Sequence, residues 1–297
     1  MLDEVWLKWK NQIIETINSA QIIVEPFCHF YIEQFLPDEM FQKVEDFWLH
    51  DQCFWGQSDI SEEPLGHELA NLKRVVILED AAGFSHSREA HDFWEKFYLF
   101  FNDEGVINAL INKTASNIIG DRCDLDSPPT EGCASTLLVV DDNNFSLGPH
   151  IDSQHVLISL LLYVPYPYDD QGIGTSIFEP LQETIKKDAE LGKEFSTVYH
   201  KNEDFNEVYR APFRRNSIFG IINGPKAFHG VQRLDGLKSG RRNILWSISS
   251  KEKGSRTYPS ALERVKRGIT PEIIRENRKK ELLKSRLDEF LATKQNF

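Results

Sequence analysis

Downstream of Pro128-Pro129 the chain breaks into short apolar runs divided by Gly, Pro, Asn and Asp. The runs are Ser135–Val140, His155–Val164, Thr175–Phe178, Val208–Ala211, Ser217–Ile222 and Asn243–Ser249, rich in Val, Ile, Leu and Phe. Short strands between turn signals predict an all-β sandwich or barrel rather than a parallel βαβ sheet. The one interruption is a helical insertion over 180–195, within a longer insertion at 180–206.

The first part of the chain reads differently. Leu2, Val5, Trp6, Trp9, Ile13 and Ile17 recur at three- and four-residue steps and form one apolar stripe of a helix. Ile22 to Tyr31 reads as extended chain. Pro37 then stands at a helix start, with Asp38 and Glu39 in the first turn and Phe41, Val44 and Phe47 on the buried face. A further helical pattern covers 86–119 through Phe93, Phe97, Phe101, Leu110 and Ile111, interrupted near Gly105. Three regions result: residues 1–130, helices and strand that pack on a barrel; 131–258, the barrel; and 259–297, a charged helix. Together they are expected to make one structural domain.

Lys+Arg number 34 and Asp+Glu 46, a net charge of −12, which argues against nucleic acid, because binding phosphates needs clustered cations. Residues 263–297 carry ten Lys/Arg and six Asp/Glu, so 10 − 6 = +4. This tail is read as a solvated helix capped at Thr270 that packs Leu283, Leu287 and Phe290 on the barrel or on a second subunit, a route to a homo-oligomer. No apolar run approaches the roughly 20 residues of a membrane span. The opening MLDEVWLKWK lacks the apolar core of a secretory signal, and the four cysteines include no CxxC. A cytoplasmic protein with reduced thiols is expected.

The informative stretch is Ser146-Leu147-Gly148-Pro149-His150-Ile151-Asp152-Ser153. In extended chain, residues i and i+2 share a face, so His150 and Asp152 can offer an imidazole nitrogen and a carboxylate oxygen to one ion. His229, in Ala227-Phe228-His229-Gly230-Val231, supplies a third ligand from elsewhere. Two histidines and one carboxylate form the facial triad of non-haem Fe(II) oxygenases and leave positions open for O₂ and a co-substrate. Downstream, Gly240-Arg241-Arg242 sits at the mouth of a clear strand, and an arginine presents a planar fork to a carboxylate.

HxD, a distant His in an FHGV setting, and G-x-R leading into an apolar strand resemble the Fe(II)/2-oxoglutarate-dependent dioxygenases, above all their prolyl-hydroxylase-like branch. The likeness is strong over 130–250 and weak over 22–48. It implies a double-stranded β-helix, a jelly-roll or cupin-like barrel with flanking helices. It implies iron on His150, Asp152 and His229, and the distal carboxylate of 2-oxoglutarate on Arg242, which matches G-x-R and shares its strand face with Ile244 and Trp246. Val156, Ile158, Leu160, Leu162, Ile244 and Ile248 would line the barrel. Where some branches have a serine two places after the arginine, this chain has Ile244, so Tyr163 and Thr175 are candidate hydroxyl contacts to the co-substrate. His155 is placed beside the site rather than on the metal.

The activity implied is hydroxylation of an unactivated C–H bond of a small molecule or of a free or peptidyl amino acid, with release of succinate and CO₂. Two alternatives share the barrel: a differently reactive cupin-type metal protein, and a non-catalytic binding protein. A halogenase would lose the carboxylate ligand, and Asp152 is present.

Overall fold

The computed structural model describes residues 3–56, 72–122, 125, 127–190 and 198–250. The expected C-terminal helix lies outside the described residues. Helix α1 (Glu4–Ser19) starts at Asp3, whose carboxylate accepts from the Trp6 N–H, and it buries Trp6, Trp9, Ile13 and Ile17. Val5, read as part of that stripe, is about half exposed. Its neighbour Trp6 fills the buried arc of the helix. Helix α2 (Asp38–Asp46) follows Pro37 directly and buries Met40, Phe41 and Val44. The 86–119 pattern resolves into α3 (Arg88–Phe101) and α4 (Glu104–Asp121). The break falls at Asn102-Asp103, where the Asp103 side chain caps α4 through the N–H groups of Gly105 and Val106.

Eleven strands among the described residues form two antiparallel sheets. They are β1 (His29–Ile32), β2 (Trp55–Gly56), β3 (Lys73–Ile77), β4 (Gly132–Asp141), β5 (Leu147–His150), β6 (Val156–Tyr163), β7 (Ser176–Pro180), β8 (Phe205–Arg210), β9 (Ser217–Ile222), β10 (His229–Val231) and β11 (Arg241–Ser250). The larger sheet runs β1-β9-β6-β11-β4-β3-β2 and the smaller β5-β10-β7-β8. The eight consecutive strands β4 to β11 are thus dealt between the sheets, first, eighth, third and sixth to one, second, seventh, fourth and fifth to the other. That dealing is the two-sheet arrangement of a jelly roll. Helix α5 (Glu183–Glu190) lies in the insertion between β7 and β8.

β11 is the spine of the larger sheet, since all ten of its residues pair with β4 and seven pair with β6. Its two faces differ because they meet different things. Ile244, Trp246 and Ile248 join Ile158, Leu160 and Leu162 of β6 in the main core beneath the helices. There the Trp246 ring meets Phe101 of α3 edge-on at 4.7 Å. Arg241, Asn243, Leu245 and Ser247 face the smaller sheet with Ser159 and Leu161. The expected barrel lining of Val156, Ile158, Leu160, Leu162, Ile244 and Ile248 is therefore corrected by one step of strand parity. Of that set only Val156 borders the cavity.

Candidate metal centre and its cavity

β5 and β10 are neighbours in the smaller sheet, and their register sets His229 opposite His150. Asp152 follows two residues after His150, as the chain leaves β5. Ligand atoms of the three side chains lie within 4.8 Å of one another. His150 Nε2 is 3.9 Å from Asp152 Oδ1 and His229 Nε2 is 3.7 Å from Asp152 Oδ2. Donors each about 2.1 Å from a shared ion stand roughly 3–4 Å apart. Among the described residues one other trio comes as close, His91, Asp92 and Glu95, on the solvent side of α3.

Each imidazole has its other nitrogen committed. His150 Nδ1 lies 3.0 Å from the Gly148 carbonyl and His229 Nδ1 lies 2.9 Å from the Ala227 carbonyl. A carbonyl only accepts, so Nδ1 carries the hydrogen and Nε2 keeps the lone pair a metal needs. Burial, reinforced by the neighbouring His229, pushes His150 down to about 3 against the pull of Asp152. The ring is therefore in its neutral, ligating form at physiological pH.

Asp152 is aimed by residues that drew no functional reading from the sequence. The Ser159 hydroxyl donates to Asp152 Oδ2. Asn223 Nδ2 reaches the carbonyls of Asp152, Ser153 and Val156 at 3.2, 3.0 and 2.9 Å. Buried Arg122 donates to the carbonyls of Val156 and Gln154. The turn after β5 is thus pinned from two sides. One signal was legible: Ser159 is the polar break in the apolar run from Val156 to Val164. Glycines allow the close backbone approach around the trio. A Cβ at Gly148 would lie 2.3 Å from the His200 carbonyl oxygen, and one at Gly230 would lie 2.4 Å from that of Leu147.

The trio borders a cavity of about 90 Å³ between the sheets. Its far end is polar and buried. Arg241 donates from Nη1 to the Ile173 carbonyl at 3.1 Å and holds Nε 3.4 Å from Asp141 Oδ2, with Phe213 under its guanidinium. Tyr163 is buried beside it. Its hydroxyl accepts from the Thr175 N–H at 3.1 Å, and burial raises its pKa. Thr175 Oγ1 and Arg241 Nε are buried without hydrogen-bond partners. Such buried donors beside the cavity fit a carboxylate.

Arg242, expected to hold that carboxylate, is on the opposite face of β11. It donates Nε to the Val164 carbonyl at 3.0 Å, and its guanidinium stacks 3.7 Å from the centre of the Tyr166 ring and 5.2 Å from that of Trp48. Alternation along the strand gives the cavity to the odd-numbered residues, so Arg241 and not Arg242 borders it. His150, Asp152 and His229 come together as expected. His155 is exposed and stands off the trio.

No family model and no curated protein matches this chain. Its structure is similar to solved proteins that include three prolyl hydroxylases, each at 9% identity. One, from Trichoplax adhaerens in complex with a hypoxia inducible factor peptide fragment, has a TM-score of 0.49 over 85% of this chain and 96% of that one. A prolyl 4-hydroxylase from Phytophthora capsici has a TM-score of 0.42 over 93% and 77%. One from Pseudomonas putida also has 0.42, over 81% and 100%.

Proposed function

We propose that this chain is an Fe(II)- and 2-oxoglutarate-dependent oxygenase on a double-stranded β-helix, hydroxylating a C–H bond of a small molecule or of a free or peptidyl amino acid. One observation carries the reading: His150, Asp152 and His229 converge with both Nε2 atoms available, at one end of a cavity whose other end holds Arg241. Two imidazoles and a carboxylate suit Fe(II), and they leave half of an octahedral shell for other ligands. When bound, iron and 2-oxoglutarate supply the oxidising chemistry, in which O₂ is divided between the new hydroxyl group and succinate, with loss of CO₂.

The chain's residues position and enclose. Arg241 is the partner for the distal carboxylate, with Thr175 Oγ1 and Tyr163 as hydroxyl contacts at the same end. Ser159 holds Asp152 in its ligating orientation. Leu161, Leu245 and Val231 keep the walls between the two ends apolar, which excludes water from the reacting atoms.

Anaerobic addition of Fe(II) and then 2-oxoglutarate to the purified chain tests the reading. A weak visible charge-transfer band that requires both and is lost in His150→Ala supports it, and no band in the wild-type chain overturns it. A 2-oxoglutarate consumption screen against amino acids, proline-containing peptides and metabolite extracts then identifies the substrate.

A further inference from the structure

Lys73, Asp141 and Arg241 form one row across three adjacent strands. In the register, Asp141 is the direct partner of Lys73 on β3 and of Arg241 on β11. All three border the cavity, and the row reads cation, anion, cation. Asp141 and Arg241 are 2% and 1% exposed, so neither charge is relieved by bulk water. Their contact is loose for a buried pair. Arg241 Nε and Asp141 Oδ2 are 3.4 Å apart and Nε makes no hydrogen bond. Asp141 Oδ2 takes the Asn243 Nδ2–H at 3.3 Å, while Oδ1 has no hydrogen-bond partner. Buried carboxylates are normally paired and hydrogen-bonded on both oxygens, because desolvation is costly. This one balances charge without saturating its cation.

We propose that Asp141 is a built-in stand-in for the ligand's carboxylate: it neutralises Arg241 before the distal carboxylate of a dicarboxylate arrives, and then competes with it for the guanidinium. The inference rests on the oxygenase reading above. Asp141 is a positioning residue that sets how tightly the co-substrate is held, at some cost to affinity and to the benefit of the unliganded fold.

The two roles give opposite signs. Asp141→Asn keeps the side-chain shape and removes the competing charge. Removing one like charge from a partly screened site is worth about tenfold in affinity. In anaerobic calorimetry on the Fe(II)-loaded 297-residue chain, Asp141→Asn is expected to bind 2-oxoglutarate about tenfold more tightly. In the absence of 2-oxoglutarate it is expected to melt at a lower temperature than wild type. A purely structural Asp141 lowers both affinity and melting temperature, so equal or weaker binding by Asp141→Asn overturns the proposal. Asp142→Asn is the control, because Asp142 points elsewhere and pairs with Arg74. Should Asp141→Asn fail to fold, Asp141→Ser decides. It removes the same charge and is expected to bind 2-oxoglutarate more tightly than wild type, and equal or weaker binding overturns the proposal. A wild-type chain that does not bind 2-oxoglutarate removes the oxygenase reading and this inference with it, whereas an Arg241→Met variant that binds it as well as wild type overturns this inference alone. A contrary Asp141→Asn result alone leaves the oxygenase reading standing.

Discussion

Ser159→Ala isolates one contact. Ser159 is 3% exposed on β6, and its hydroxyl donates to the carboxylate oxygen of Asp152 that also faces His229. Alanine fits the same backbone and removes one oxygen, so strand pairing survives. A hydrogen bond to a charged group is worth roughly 1.5–3 kcal/mol. The Asp152 side chain is 21% exposed, so water replaces part of the loss and the lower figure applies. About 1.5 kcal/mol corresponds to roughly tenfold in a dissociation constant, within the range of about 10–100-fold found when partners behind metal ligands are removed. Anaerobic competition between the chain and a chelating indicator for Fe(II) measures it. Ser159→Ala should bind about tenfold more weakly than wild type, with unfolding shifted by about 1 kcal/mol or less. Metal affinity within twofold of wild type, while Asp152→Ala abolishes binding, would refute the orienting role of Ser159.

The adjacent arginines should part company. Arg241→Met is expected to weaken 2-oxoglutarate binding by more than about thirtyfold, since losing a buried charge partner costs roughly 2–5 kcal/mol. Arg242→Met should leave that binding intact and lower stability by about 1–2 kcal/mol through loss of the stack on Tyr166 and Trp48. Calorimetry and thermal melts separate the two, and equal effects on binding would show that the faces are misassigned. Asn223→Ala leaves the carbonyls of Asp152, Ser153 and Val156 without their shared donor. Denaturant unfolding should show a loss of about 2–4 kcal/mol, and a loss below about 0.5 would contradict the pinned turn. His150 titrates near 3 when folded and near 6.5 when unfolded, so below pH 6.5 the unfolded chain binds the extra proton. Stability of the metal-free chain should therefore fall as pH drops from about 6.5 toward 4. A His150→Gln variant should lose part of that slope, and an unchanged slope would place the acid sensitivity elsewhere.

The residues most legible in the sequence were those whose spacing alone fixes a direction. His150 and Asp152 stand two apart, and Trp6, Trp9, Ile13 and Ile17 keep helical steps, so both groupings reappear in three dimensions. The face of β11 was not legible in this way. Hydrophobicity suggested that Ile244 and Ile248 line the barrel, but the helices α3 and α4 cover the outside of the larger sheet. The more apolar face lies under them, and the mixed face of Arg241, Asn243, Leu245 and Ser247 meets the polar cavity. A strand pattern gives the period and not which layer each face touches, so it pointed to Arg242 where Arg241 borders the cavity. β5 and β10, with four and three residues, are too short to show a period, although they carry two of the three ligands. Ser159 marked itself only as a break in an apolar run, and Asn223 and Arg122 act through backbone carbonyls, which leave no trace in side-chain spacing.

The brevity of β5 and β10 bears on how the molecule breathes. β5 is the rim of its sheet, four residues long, and a bulge disturbs its ladder to β10. A cation gripped by one imidazole from each strand would act as a rivet through that weak seam. Amide protons around 147–152 and 229–231 should then exchange fast in the chelator-stripped chain and slow sharply on loading, so that metal content reads out as local opening at the rim long before any change in global unfolding.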